Sequence, residues 1–252
     1  MKRITIFMLL VVLCATSCSN QRRANHLKED IFHCIALVED DEGETVYNCG
    51  VRWTGPYGVT LDEKGHYFKK GDHVSKKRAK KLVYKHLQEH VYPFLKYVER
   101  DLKDREIIAV CLFIYNVGGE VFSGHSLDGS VCGHPSKFLD AINRGDKPED
   151  IVNKMTLYRR SGKKRANGLL KRHWVVGAIY LGFIPVEDVL TFRPKQFYTT
   201  KNFGNYYVLD SHQNFKQDSQ KCYFLRYDET TKKTFYRMNV AKGKQESVAD
   251  II

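Results

Sequence analysis

The sequence predicts an α+β protein, mainly helical, with a small β subdomain near its start and a β-rich extension at its end. Three observations carry this. Apolar residues recur at helical spacing in the segments that begin near residues 27, 79, 106, 136, 148 and 168. From Thr45 to Phe68 short runs of β-formers are punctuated by glycines at 50, 55, 58 and 65. Beyond Val186 the texture changes, and phenylalanine and tyrosine crowd the chain. The organisation read from this is an N-terminal leader over residues 1–17, a polar tether over 18–26, a helical domain over 27–185 and an extension over 186–252.

With 252 residues, 42% hydrophobic and 28% charged, the chain can bury one good core and carry an appendage. Its net charge of +12 at pH 7 suits a polyanionic partner: nucleic acid, anionic lipid or anionic cell wall. Neither an RNP motif nor zinc-finger spacing is present, so a nucleic-acid reading rests on charge alone.

Lys2 and Arg3 precede an apolar run, Ile4 to Leu13, that is too short to span a bilayer. Ala15, Thr16 and Ser17 then precede Cys18. Small residues directly before a cysteine resemble a bacterial lipobox, so residues 1–17 are expected to be cleaved and Cys18 to be lipidated. The protein would then be an exported lipoprotein of the cell envelope, facing the periplasm or the surface. An ordinary secretory signal cleaved nearby is the other reading. Cleavage lowers the charge from +12 to +10 by removing Lys2 and Arg3.

Leu27, Ile31, Ile35 and Val38 form the apolar stripe of a first helix that delivers Glu39 at its C-terminal end. Asp40, Asp41, Glu42 and Glu44 follow; like charge this close would raise the proton affinity of Glu39. For Asp41 and Glu44 a solvated acidic loop is the simpler reading. After the strand-and-turn segment, Asp72 or Ser75 caps a long helix expected to run to about Tyr97, apolar along Ala79, Leu82, Val83, Leu87 and Val91. Its basic face (Lys76, Lys77, Arg78, Lys80, Lys81, Lys85) is either solvated or lines the approach of an anionic polymer. Glu106 to Tyr115 is apolar nearly all round, which predicts a helix buried in the core and stopped by Gly118 and Gly119. Phe122 to Pro135 is a loop. Short helices follow over Ser136–Asn143 and Pro148–Tyr158, then a basic loop over Ser161–Asn167 and a last helix over Gly168–Leu181. In the extension, Cys222 to Asp228 and Thr234 to Val240 read as a hairpin.

Once residues 1–17 are removed and Cys18 is lipidated, five cysteines remain, an odd number in no zinc spacing. Cys34 and Cys111 lie in apolar helical patterns as packed thiols; a Cys49–Cys132 bridge is open in an exported protein. Cys49 as a nucleophile lacks a base in register. His86 and His90 stand four apart on one helix without a third ligand, so neither a metal nor a cofactor is expected. No Gly-x-Ser-x-Gly elbow occurs.

The chemistry that remains is carboxylate chemistry. A glycosidase needs an acid for the leaving oxygen and a carboxylate or a positioned water on the other side of the sugar carbon. Glu39 suits the first role, since burial at a helix end favours the protonated carboxyl. Glu39, Asn48 and Thr54 keep, without a gap, the spacing of glutamate, aspartate and threonine in the phage-type lysozymes, glycoside hydrolase family 24. Trp53-Thr54-Gly55-Pro56-Tyr57-Gly58-Val59-Thr60, Tyr115-Asn116-Val117-Gly118, Lys137 to Asp146, and Gly168-Leu169-Leu170-Lys171-Arg172-His173 resemble the later landmarks of that family in order. The resemblance covers roughly residues 27–183. It implies a lysozyme-like domain that cleaves the β-1,4 bond between N-acetylmuramic acid and N-acetylglucosamine in peptidoglycan. It implies Glu39 as acid, Thr54 holding a water, position 48 orienting it, and Asn116, Arg172 and Tyr57 as substrate contacts. Peptidoglycan and the membrane are then the partners, and a monomer is expected.

Three single positions and one pair depart from the family pattern. Asn48 stands for aspartate, Val59 for a histidine and His173 for a second arginine, and Gly55-Pro56 requires a different bend. An amide at 48 is neither base nor anion, so a second reading stands beside the first: a catalytically impaired, wall-binding lipoprotein of the same fold. Residues 186–252 carry no resemblance.

Overall fold

The structure, a computed structural model, describes residues 19–39, 43–49, 52–158, 160–161, 164–165 and 167–191, and the strand pairing of 197–199, 207–210, 221–228 and 233–240. The leader, Cys18, the acidic residues 40–42 and positions 162, 163 and 166 of the basic loop lie outside the described residues. In chain order the elements are α1 (19–26), α2 (Lys28–Val38), β1 (Tyr47–Asn48), β2 (Trp53–Thr54), α3 (Lys76–His86), α4 (Asp104–Val117), α5 (Gly119–Ser123), α6 (Lys137–Arg144) and α7 (Pro148–Met155). The short strands β3 (Arg160–Ser161) and β4 (Lys164–Arg165) follow, then α8 (Asn167–Leu181), α9 (Val186–Thr191), β5 (Phe197–Thr199), β6 (Tyr207–Asp210), β7 (Lys221–Asp228) and β8 (Lys233–Val240). Among the described residues no helix is long and apolar enough to cross a membrane. The α+β, mainly helical class is therefore observed.

The chain divides into two compact units. The first comprises residues 1–29 and 87–185, the second 30–86 and 186–252.

The first unit is built round α4. Its residues from Glu106 to Ile114 are all buried, so it needs neighbours on every side. It packs on α8 and α5. Phe113 lies at the centre of an aromatic cluster, with ring centroids 4.6 Å from Phe138, 5.3 Å from Tyr158 and 5.4 Å from His173. At its start Glu106 accepts from the backbone N–H of Lys103 at 3.0 Å, which satisfies one donor at the start of the helix. At its end the chain turns at Gly118, and Gly119 lies flat on Phe94: a Cβ at Gly119 would come within 2.0 Å of that ring. Ser136 caps α6 by accepting from Leu139 N–H at 3.0 Å, as the sequence suggests.

Four sequence expectations are corrected here. The tether over 18–26 is helical from residue 19 and held down. Asn20 is fully buried, donates to the Arg100 carbonyl at 2.8 Å and accepts from Leu102 N–H at 3.1 Å. The long helix expected to reach Tyr97 stops at His86 and continues as one π turn (Leu87–Val91) and a 3-10 segment (Tyr92–Tyr97). Pro93 lacks the N–H that a continuing α-helix would use. The basic loop after Tyr158 contains the β3–β4 pair, and α8 is followed by α9, so it is not the last helix.

In the second unit α2 buries Ile31, Phe32, Cys34 and Ile35. β1 and β2 pair antiparallel, and isolated bridges join Thr45 with His73 and Leu61 with Tyr67. Of the two candidate caps for α3, Ser75 serves, accepting from Arg78 N–H at 3.2 Å; Asp72 instead accepts from Lys69 N–H. β5 to β8 form a four-stranded antiparallel meander in chain order, so the expected hairpin is half of a larger sheet. Cys34 and Cys111 are buried thiols whose proton affinity burial raises. Cys49 and Cys132 carry exposed thiols where a bridge was considered.

His173 on α8 is fully buried, and among the described residues neither ring nitrogen has a hydrogen-bond partner. Burial, and secondarily the charge of Arg172, holds its pKa down at about 3. The unfolded chain therefore binds one more proton than the folded chain between about pH 6.5 and 3. Stability from this site is complete above pH 6.5 and declines as pH falls through that window, by up to roughly 1.4 kcal/mol per pH unit. His173→Phe is expected to flatten this decline, as measured by urea unfolding at pH 7, 5 and 4; an unchanged slope would show that His173 is not the titrating group.

Candidate functional site

Glu39 sits one residue past α2, its N–H bonded to the Ile35 carbonyl at 2.8 Å. The α2 pattern puts its apolar face inward and carries Glu39 in with it, to 5% exposure.

A tight loop closes over the carboxyl. The strand ends at Thr54, and Pro56–Gly58 makes a single 3-10 turn with Pro56 at its start, where the missing N–H costs nothing. Gly55 N–H donates to the Val59 carbonyl at 2.7 Å and seals the turn. This is the different bend that Gly55-Pro56 requires. Tyr57 is left in the left-handed region at φ 59°, ψ 23°, a strained state for a non-glycine residue. Its ring meets Phe32 of α2 edge-on at 5.0 Å, which holds the loop against the helix. Gly58 follows at φ +78°, and a Cβ there would lie 2.9 Å from Oε2 of Glu39. The carboxylate occupies the space that a side chain at 58 would fill.

The β1–β2 ribbon presents the other two sequence candidates differently. Tyr47 is opposite Thr54, and Asn48 is opposite Trp53. Facing residues share a side of an antiparallel pair, and successive residues alternate. Thr54 and Asn48 therefore fall on opposite sides of the ribbon. Thr54 is buried at 5% exposure, with a long hydrogen bond of 3.4 Å from its hydroxyl to the Arg52 carbonyl. Asn48 is exposed. The structure thus groups Glu39 and Thr54 as buried polar side chains of the second unit and turns Asn48 outward.

Two supports were not legible in the sequence. Glu44, read there as part of a solvated loop, accepts from Lys76 N–H at 3.0 Å and lies 3.3 Å from His73, so it satisfies a donor at the start of α3. Val74 N–H donates to the Glu44 carbonyl at 2.7 Å. The basic face of α3 is partly engaged: Arg78 makes a two-pronged pair with Glu63 at 2.6 and 2.8 Å, which holds the Glu63 carboxyl down at about 2. Lys80 lies 4.6 Å over the Phe32 ring, while Lys76, Lys77 and Lys81 are exposed.

In the first unit Arg172 donates to Asn116 Oδ1 at 3.3 Å, so those two candidates are brought together. Asn116 Nδ2 is buried and, among the described residues, has no hydrogen-bond partner. The cavities of about 350 and 380 Å³ in this unit are lined by other residues. Among the described residues no group of three or more His, Cys, Asp or Glu side chains is placed to hold a metal ion.

The profile of the phage lysozyme family matches residues 39–174. That stretch begins at Glu39 and takes in Asn48, Thr54, Asn116 and Arg172. Among solved structures, the chain is similar to the endolysin of Escherichia coli O157:H7 phage FAHEc1, with 20% identity and a TM-score of 0.51, over 62% of this chain and 92% of the endolysin. It is also similar to the muramidase domain of SpmX from Asticaccaulis excentricus, with 19% identity, a TM-score of 0.46 and coverage of 60% and 94%. A mutant of P22 lysozyme gives 21% identity, a TM-score of 0.45 and coverage of 61% and 95%. The endolysin supports the fold. A search of curated proteins finds no match.

Gly58→Ala should cost about 1–3 kcal/mol, from the left-handed backbone and the contact with Glu39. Part of that cost should vanish in the Glu39→Ala background, and urea unfolding of the four variants measures the coupling. Strict additivity would show that the loop does not rest on the carboxylate.

Proposed function

The chain belongs to the phage lysozyme family, and on that premise we propose that it hydrolyses the β-1,4 bond between N-acetylmuramic acid and N-acetylglucosamine in peptidoglycan, as a family 24 type muramidase. The observation that carries the reading is the buried carboxyl of Glu39 under the Gly58 backbone, at the first residue of the family match.

In this reading Glu39 gives its proton to the glycosidic oxygen as the bond to the sugar carbon breaks. A water held by the Thr54 hydroxyl adds to the oxocarbenium-like carbon and releases its proton to solvent, from which the Glu39 carboxylate is reprotonated. Asn48 donates and accepts hydrogen bonds but neither takes the water's proton nor balances positive charge on the ring. With Asn48 exposed on the far side of the ribbon, Glu39 and Thr54 carry the reaction. Asn116 and Arg172 hold sugar or stem peptide, and Tyr57 contributes a ring at the corner. The exposed lysines of α3 suit the anionic wall. The lipobox-like run before Cys18 supports an envelope lipoprotein held to a membrane.

The amide at position 48 also favours a second reading, a wall-binding protein without turnover. Digestion of purified peptidoglycan separates the two. The mature chain is expected to release reducing ends, and Glu39→Gln to reduce that release by at least about a hundredfold. Wall binding without release by the wild type would establish the binding protein instead. Asn48→Asp is expected to leave the rate within about twofold, because exposed charge is screened. A tenfold gain would overturn this placement and show that position 48 reaches the reacting sugar.

The anchor is tested separately. Exported behind an unlipidated secretory leader, the Cys18→Ala chain is expected in the soluble envelope fraction, with the wild type in membranes. Equal membrane retention of both would remove Cys18 as the anchor.

A further inference from the structure

We propose that the outward face of α1 lies on the phosphodiester headgroups of the bilayer, so that the first unit is seated directly on the membrane with no intervening tether. This rests on the lipoprotein reading of Cys18 given above.

The argument begins with what fixes α1. It is helical from residue 19, the first position after Cys18. Asn20 and Ala24, one turn apart, are both fully buried. Asn20 bonds both the Arg100 carbonyl and the Leu102 N–H. Arg23 reaches Asp104 through two nitrogens at 2.6 and 3.1 Å and Asp101 at 2.9 Å. These contacts order the segment that a free tether would need to keep loose, and no residue between anchor and fold is left to act as a spacer.

Distance then sets what the outer face meets. At 1.5 Å per residue, Gln21 and Arg22 lie about 3–5 Å along the helix from Ser19, the residue after Cys18, and Asn25 about 9 Å. A headgroup layer is roughly 5–7 Å thick on each side of a bilayer. Gln21, Arg22 and Asn25 are exposed, and with Gln88 and Tyr92 they line a cavity of about 350 Å³. The chemistry fits a phosphodiester. Arg22 supplies a planar guanidinium that pairs two phosphate oxygens. The amides of Gln21, Asn25 and Gln88 offer donors for phosphate and ester oxygens.

Two measurements test this. Neutron reflectometry on the lipidated mature chain, in a supported bilayer of phosphatidylethanolamine and phosphatidylglycerol, is expected to show protein density continuous with the headgroups. A 16-residue Gly/Ser insertion between Cys18 and Ser19 should open a hydrated gap of about 20 Å. A gap of that size in the wild type would overturn the proposal. The unlipidated mature Cys18→Ala chain is then partitioned onto phosphatidylglycerol vesicles. Arg22→Gln should weaken binding about fivefold, and Lys77→Gln, on α3, should weaken it by less than half as much. Equal losses would mean that charge alone drives adsorption, and the assigned face would be wrong. Mass spectrometry of Cys18 keeps the two ideas apart. An unmodified Cys18 would defeat the lipoprotein reading, while the vesicle comparison still decides whether α1 carries a headgroup-binding face.

Discussion

A helix that is apolar on every side has nowhere to go but inside, and α4 imposes that condition on the first unit. With Glu106 to Ile114 all buried, α5, α6, α8 and the π turn over Leu87–Val91 have to supply apolar surface round it. Phe113 shows the result locally, with three aromatic rings and His173 around one side chain. The same burial keeps His173 neutral and leaves Gly119 no room for a side chain against Phe94. One packing requirement thus reaches from a core phenylalanine to the residues beside Asn116 and Arg172.

The second unit answers to a different constraint, the placing of one carboxyl out of water. Burying such a group is costly unless the surroundings are arranged for it. Here α2 carries Glu39 inward, and the Pro56–Gly58 turn covers it without a side chain at 58. The strained Tyr57 is held by its ring on Phe32. The left-handed backbone at Tyr57 and the absent side chain at 58 let the chain come close to the carboxyl. Asn48 is exposed and lies on the other side of the ribbon from Thr54, which is where its substitution for aspartate falls.

Several features escaped the sequence for identifiable reasons. Ser19 to His26 is polar enough to read as a tether, because its helix is secured by hydrogen bonds to a loop some eighty residues away and not by an apolar stripe. Glu44 sits among carboxylates that look alike in the sequence; its capping of α3 depends on a bridge that brings Thr45 to His73. Pro93 did signal a break, but the apolar period ran through it and dominated the reading. Gly58 was visible as a turn residue, whereas the carboxylate lying against it was not.

The sequence by itself determined the class of the protein, the family-like spacing of Glu39, Asn48 and Thr54, and the order of α2, α3, α4, α6, α7 and α8. Those follow from local periodicity, turn residues and the spacing of Glu39, Asn48 and Thr54, all of which are short-range properties. Only the tertiary structure decided which side of the β ribbon each candidate faces, since a shift of one residue in register exchanges the two sides. It alone decided that Gly58 meets Glu39, that Arg172 meets Asn116 and that α1 is anchored to the loop after Val98. Each of these joins residues distant along the chain, and no local pattern records a contact that exists only once the chain has closed on itself.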